Sequence, residues 1–154
     1  MLKGFEDAFV DAQASVISLC LKLLKNSEKE ADKIYIYLFQ NDDEDYIDAF
    51  FEKEGNLYTI NELFSEKEID AFFNCGVEDI ENIIDICKAY DAKCPHEYRL
   101  VYNINNKSFD SNYNYENVTE VRDKDVLELV EEWYEECSKN IKEYISEIDF
   151  GIYD

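Results

Sequence analysis

Between Pro95 and Glu116 the chain alternates apolar and polar residues in two arms. In the first arm Tyr98, Leu100, Tyr102 and Ile104 share one phase, with Arg99 and Asn103 on the other. In the second, Phe109, Tyr113 and Tyr115 alternate with Asp110, Asn112, Asn114 and Glu116. A period of two marks strands with one buried face. Asn105-Asn106-Lys107 supplies the turn, so the segment predicts an antiparallel hairpin, expected at the centre of the domain.

The segments around it supply faces for it to pack against. Residues 2–25 read as a helix, because Phe5, Phe9, Ala12, Val16, Leu19 and Leu23 recur at spacings of three and four, with Cys20 and Leu24 beside them. Lys33 to Gln40 reads as a strand apolar on both sides. Asn41 to Asp45 is a turn, Tyr46 to Lys53 a second strand, Glu54-Gly55-Asn56 another turn, and Leu57 to Ile60 a third strand, which makes a meander. Ser65-Glu66-Lys67-Glu68 has the spacing of a capping box. It predicts a short helix ending near Gly76, followed by a second over about residues 77–91 that Cys94-Pro95 stops. From Asp123 to about Ile148 runs the longest helix. Its apolar stripe is Val126, Leu129, Val130, Trp133, Cys137, Ile141, Tyr144, Ile145 and Ile148. The tail, 149–154, is apolar enough to dock. The sum is a single domain over residues 1–154 of α+β class. Its antiparallel sheet of about five strands, meander plus hairpin, packs with an N-terminal helix, a middle helical pair and a long C-terminal helix.

Composition makes the chain globular. It has 154 residues, 46% hydrophobic and 15% aromatic, too apolar for a disordered acidic tail. Charge adds more. Thirty-seven acids against 15 bases give −22, and the excess is confined: residues 1–40 hold six acids and five bases, residues 41–154 hold 31 and ten. Such a field repels nucleic acid and anionic membrane and steers a basic partner inwards. No apolar run approaches the ~20 residues of a membrane span, and the start lacks an apolar leader core. Five cysteines, an odd number without Cys-x-x-Cys, fit reduced thiols in the cytoplasm. The sequons at Asn106 and Asn117 carry no meaning there.

Candidate chemistry is thin. Zinc lacks ligands, since His96 is the one histidine and neither Cys87 nor Cys94 has a partner at ligand spacing. A cysteine nucleophile would need that same histidine. Asp110-x-Asn112-x-Asn114 begins like a calcium loop, but Tyr115 stands where the glycine belongs and Val121 where the bidentate glutamate belongs. With only Gly4, Gly55, Gly76 and Gly151 no phosphate-binding glycine loop can form. No metal and no cofactor is expected.

The order of elements resembles the YezG-like antitoxin (immunity) family over roughly residues 30–145. The likeness is carried by Asp-Lys-Ile-Tyr-Ile-Tyr (32–37), the acidic turn and aromatic strand at 41–51, and Leu-Tyr-Thr-Ile-Asn-Glu-Leu-Phe (57–64). Pro95 before a strand and Lys-Ser-Phe-Asp-Ser-Asn-Tyr-Asn-Tyr-Glu (107–116) complete it. The family often has a tryptophan near the start of that hairpin, where this chain has Glu97 or Tyr98; its one tryptophan is Trp133. The resemblance implies a non-enzymatic immunity protein. It would neutralise a cognate basic toxin, commonly a nuclease delivered by secretion or contact, by occluding the toxin's substrate groove. On that reading the partner-binding residues are Asp42, Asp43, Glu44 and Asp45 at the turn, and Asn112, Asn114 and Glu116 on the hairpin's open face. Glu131, Glu132, Glu135 and Glu136 on the long helix complete the set. Two alternatives stand beside it: an acidic adaptor without a toxin partner, and a small hydrolase, which a deep pocket with a buried acid or a thiol of depressed pKa would favour. The sequence leaves monomer or homodimer open.

Overall fold

The computed structural model describes residues 4–152, with side chains described through Ile145. Its elements in order are α1 (Phe5–Asn26), β1 (Lys33–Gln40), β2 (Asp45–Lys53), β3 (Asn56–Thr59), α2 (Ile60–Leu63), α3 (Glu66–Ala89), β4 (Glu97–Asn103), β5 (Phe109–Asn114), α4 (Val118–Val121) and α5 (Val126–Ile152). The five strands form one antiparallel sheet in the order β3-β2-β1-β4-β5. The α+β architecture expected from the sequence is therefore present, with one relocation. The central strand is β1, apolar on both faces and buried from Ile34 to Phe39, and the 95–116 hairpin closes one side of the sheet with β5 at its edge.

Alternation along β1 divides the core into two layers. Ile34, Ile36 and Leu38 face one way, with Phe51, Ala49 and Ile47 of β2 and Leu100 and Tyr98 of β4. This face packs against α1 and α3. Tyr35, Tyr37 and Phe39 face the other way, with Phe50, and meet Val126, Leu129, Val130, Trp133 and Cys137 of α5. Trp133 is the hub of that layer, its ring centroid 5.5 Å from Phe50 and 6.1 Å from both Tyr35 and Tyr37.

Local sequence explains most element ends. Asn41 builds the acidic turn by accepting from the N–H groups of Asp43 and Glu44 at 2.9 and 2.8 Å. Glu54 and Gly55 both have positive φ, the geometry a two-residue hairpin loop requires. Ile60 opens α2 and does not end β3, because Thr59 and Glu62 cap each other reciprocally. The capping box at Ser65 and Glu68 starts α3 as expected. The middle helical pair divides at Phe64-Ser65 and not at Gly76, through which α3 runs unbroken. Gly76 serves close approach: a Cβ there would lie 2.6 Å from Ile47 Cδ1 and 2.7 Å from Cγ2. The long helix begins at Val126 and not Asp123, with Asp125 Oδ1 accepting from the Glu128 N–H and the one-turn α4 before it. Tyr144 leaves the apolar stripe and is 64% exposed. The docking expected of the tail, 149–154, lies outside the residues whose side chains are described.

Candidate functional site

The α5 helix covers only part of its face of the sheet. It packs on β1, β2 and β3 and touches β4 only at Arg99 and Val101, and the rest of that face of β4 and β5 is the floor of an open cleft of about 430 Å³. The floor is set by register: Glu97 lies opposite Asn114, Arg99 opposite Asn112, and Val101 opposite Asp110. Trp133 and Glu136 of α5 form one wall, and Val118 and Arg122 close the end. Apart from Val101, these floor residues are the polar phase of the alternation whose apolar phase, Tyr98, Leu100 and Tyr113, faces α1.

Glu97 is 6% exposed. A buried carboxylate is costly unless hydrogen-bonded, and Glu97 receives the Tyr37 hydroxyl at 2.5 Å on Oε2. Its Oε1 stands 3.7 Å from Arg99 Nε. Arg99 also reaches Glu136, 3.6 Å from Nη1 to Oε2, and lies over the Trp133 ring at 5.7 Å from its centroid. The guanidinium is thus held by two carboxylates at long range and by an aromatic face. Its Nε is buried without a hydrogen-bond partner. The Tyr37 hydroxyl pKa rises well above the usual tyrosine range through burial first, then through the Glu97 hydrogen bond and charge.

The polar row continues across the sheet. Asp48 of β2 pairs with Tyr37, which pairs with Arg99, which pairs with Asn112. Burial raises the Asp48 pKa, opposed by bonds from the Ala49 N–H at 2.8 Å and the Tyr46 hydroxyl at 3.1 Å. At the cleft's end Glu132 binds Arg122 at 3.0 Å and also Lys124. The hydrogen bond from Lys124 is the main cause of its lowered pKa.

Of the residues expected from sequence, Asn112, Asn114 and Glu136 line the cleft together. Glu132 holds Arg122 beside it. Glu116 is exposed just beyond, its N–H donated to Asn114 Oδ1 at 3.0 Å. Asp42, Asp43, Glu44 and Asp45 stand outside the cleft, at the sheet end where β4 begins. Gln40 ties that end together, its N–H and side chain donated to the carbonyls of His96 and Pro95. Glu131 is exposed, and Glu135 lies in a shallow groove with Tyr134, Ser138 and Lys142. Sequence reasoning missed Glu97, Tyr37, Asp48, Asp110 and Arg122. The alternation contained the signal for Glu97, which shares Arg99's phase.

Burial disfavours the nucleophilic thiolate at three of the five cysteines. Burial is the largest cause of the upward pKa shifts of Cys20, Cys87 and Cys137, with Cys87 and Cys137 each pushed up to about 12. Cys87 and Cys94 do meet in the fold, beside the Tyr98 hydroxyl at 3.5 Å from Cys94 Sγ. His96 Nδ1 is engaged by the Gln40 carbonyl at 2.8 Å. Among the described residues no group of three or more His, Cys, Asp or Glu side chains is placed to hold a metal ion. No helix among them is long and apolar enough to cross a membrane. Compared with known proteins, the chain matches no family model and no curated sequence.

Proposed function

We propose that the protein is an inhibitory binding partner of the immunity-protein kind, and that it captures a basic protein toxin through the cleft face of β4 and β5. The observation that carries this reading is the half-covered sheet. The fold spends α5 on one half of the face and leaves the other half as a concave floor of carboxylate, guanidinium and amide groups. Such a floor offers directional bonds to protein side chains. The surrounding charge of −22 favours a cationic partner and speeds its encounter. The toxin surface that answers this description most directly is a nuclease's substrate groove, which is basic by necessity. Occlusion of that groove is the mechanism.

The test is co-purification with the product of the adjacent reading frame, followed by an assay of that product's nuclease activity. Tight, salt-sensitive binding that abolishes cleavage is the expected result. A neighbour that neither binds nor is inhibited, with no protection of cells that produce both, overturns the reading. Capture of a non-toxic basic protein would move the protein to the adaptor class.

A further inference from the structure

The sheet has two edges, and they are finished differently. In an antiparallel ladder alternate residues turn their N–H and C=O groups toward one neighbour and the next toward the other. The bond from the Asn41 N–H to the Glu44 carbonyl, 2.9 Å, sets the phase of β1 and β2. Carried across to β3, that phase turns Leu57 and Thr59 outward. Both are closed. The Tyr134 hydroxyl donates to the Leu57 carbonyl at 3.1 Å, and the Thr59 N–H donates to Glu62 Oε1 at 3.0 Å.

On the other side, the Asn103 N–H donates to the Ser108 carbonyl at 2.9 Å. That phase turns the backbones of Asp110, Asn112 and Asn114 toward β4, and those of Phe109, Ser111 and Tyr113 outward. Among the described residues no strand pairs with β5 on that side. Of the usual guards of an edge the strand has only its shortness and one charge, Asp110, which lies on the cleft face. The strand holds no proline and no lysine, and its register runs unbroken from Phe109 to Asn114.

We infer that β5 is the docking edge for an extended segment of the basic partner, which joins the sheet as an added strand. The inference rests on the function proposed above and names how that partner engages. Main-chain bonds to Phe109, Ser111 and Tyr113 would supply affinity, and alternate side chains would supply selectivity. On the cleft face the added strand runs beside Asp110, Asn112 and Asn114, with Glu136 across the cleft. On the opposite face it runs beside the half-buried Phe109 and Tyr113. The chemistry that fits is lysine or arginine alternating with apolar residues. A second copy of this chain fits worse. Pairing two β5 strands about Ser111 sets Asp110 of one copy beside Asn112 of the other, and brings together two chains of −22 each.

The experiment follows backbone amide exchange by NMR on the full chain, with and without a short peptide alternating lysine and valine. The amides of Phe109, Ser111 and Tyr113 should slow by about tenfold or more on peptide addition while Leu57 and Thr59 stay unchanged. Ser111→Pro deletes an outward donor and no ladder bond, so the fold should survive and peptide affinity fall about tenfold. The exchange pattern of the unaltered chain stands whether or not that variant folds. No protection at these three amides, or protection at Leu57 and Thr59 in their place, overturns the inference. Salt-sensitive peptide binding that Ser111→Pro leaves intact removes the edge and keeps the basic partner. Equal protection by a glutamate–valine peptide keeps the edge and removes the basic partner. Concentration-dependent protection in the protein alone assigns the edge to a second copy and also overturns the inference.

Discussion

The Tyr37 hydroxyl and the Glu97 carboxylate, 60 residues apart in sequence, meet at 2.5 Å beneath the cleft floor. One belongs to the aromatic layer under α5 and the other to the polar floor beside it, so the bond joins core to site. Removing the donor leaves a 6%-exposed carboxylate short of a partner. Tyr37→Phe should therefore cost about 1–3 kcal/mol, read as a shift in the denaturant midpoint. In a double-mutant cycle Tyr37→Phe and Glu97→Gln should be non-additive. Additive losses would show that the two groups act separately.

Asp48 carries a pH dependence of known sign. Burial raises its folded pKa above the ordinary carboxyl value of 3.8. A carboxyl shifted upward holds its proton more tightly in the folded chain, so its penalty is absent below pH 3.8 and grows as pH rises through the folded value. Asp48→Asn should raise the melting temperature at neutral pH, with the gain vanishing in acid. A gain that persists at pH 3 would place its origin elsewhere.

Gly76→Ala trades a helix propensity gain for a collision. The new Cβ would meet Ile47 at 2.6 and 2.7 Å, and the Cγ2 contact lies near the branch, where little can swing away. Overpacking of this kind costs about 1–3 kcal/mol against a propensity gain of about 1 kcal/mol or less. Chemical denaturation should show net destabilisation, relieved in part by Ile47→Ala in the same chain.

Charge reversal separates encounter from docking. On the function proposed above, Glu136→Lys alters a cleft wall and should weaken the complex with the basic partner about tenfold or more, chiefly through faster dissociation. Reversing Asp42, Asp43 and Glu44, which lie outside the cleft, should slow association in a salt-dependent way and leave dissociation nearly unchanged. Surface-based kinetics at two ionic strengths reads both. Equal effects on both rates from both sets would erase the distinction.

Thiol reactivity should follow burial. Cys75 is exposed, Cys94 half-buried, and Cys20, Cys87 and Cys137 buried. A disulfide reagent should modify Cys75 first in the native protein, with the three buried thiols released only on unfolding. Mass spectrometry of early-time peptides checks the order.

Most of the fold was legible because its cues are local. Strand alternation, the capping box at Ser65 and the Asn-rich turns each act within a few residues, and they placed all five strands and the first and last long helices; the second capping box, at Thr59, went unread, and α3 was split at Gly76. What the sequence hid were relations between distant residues. Gly76 looks like a helix end until Ile47 is seen to press on it. Glu97 looks like one acid among 37 until Tyr37 and Arg99 converge on it. Arg99 was placed correctly on the open side of its strand. That α5 would only skirt β4 and leave β5 open, turning a polar strand face into a cleft, depends on where a helix lies across a sheet, which no period in the sequence encodes. The same holds for the acids at 42–45, conspicuous as a run and yet outside the cleft.

The division of labour around β1 also sets an order in time. Tyr35, Tyr37 and Phe39 form the floor of a layer whose roof is Trp133, a residue translated about 100 positions later, or roughly 5–20 s at typical elongation rates. Throughout that interval the emerging chain presents a row of aromatic rings with nothing to cover them. Such a polypeptide is a natural client for ribosome-associated chaperones. A ribosome stalled before α5 would release a fragment whose stickiest surface is the one the finished protein hides best.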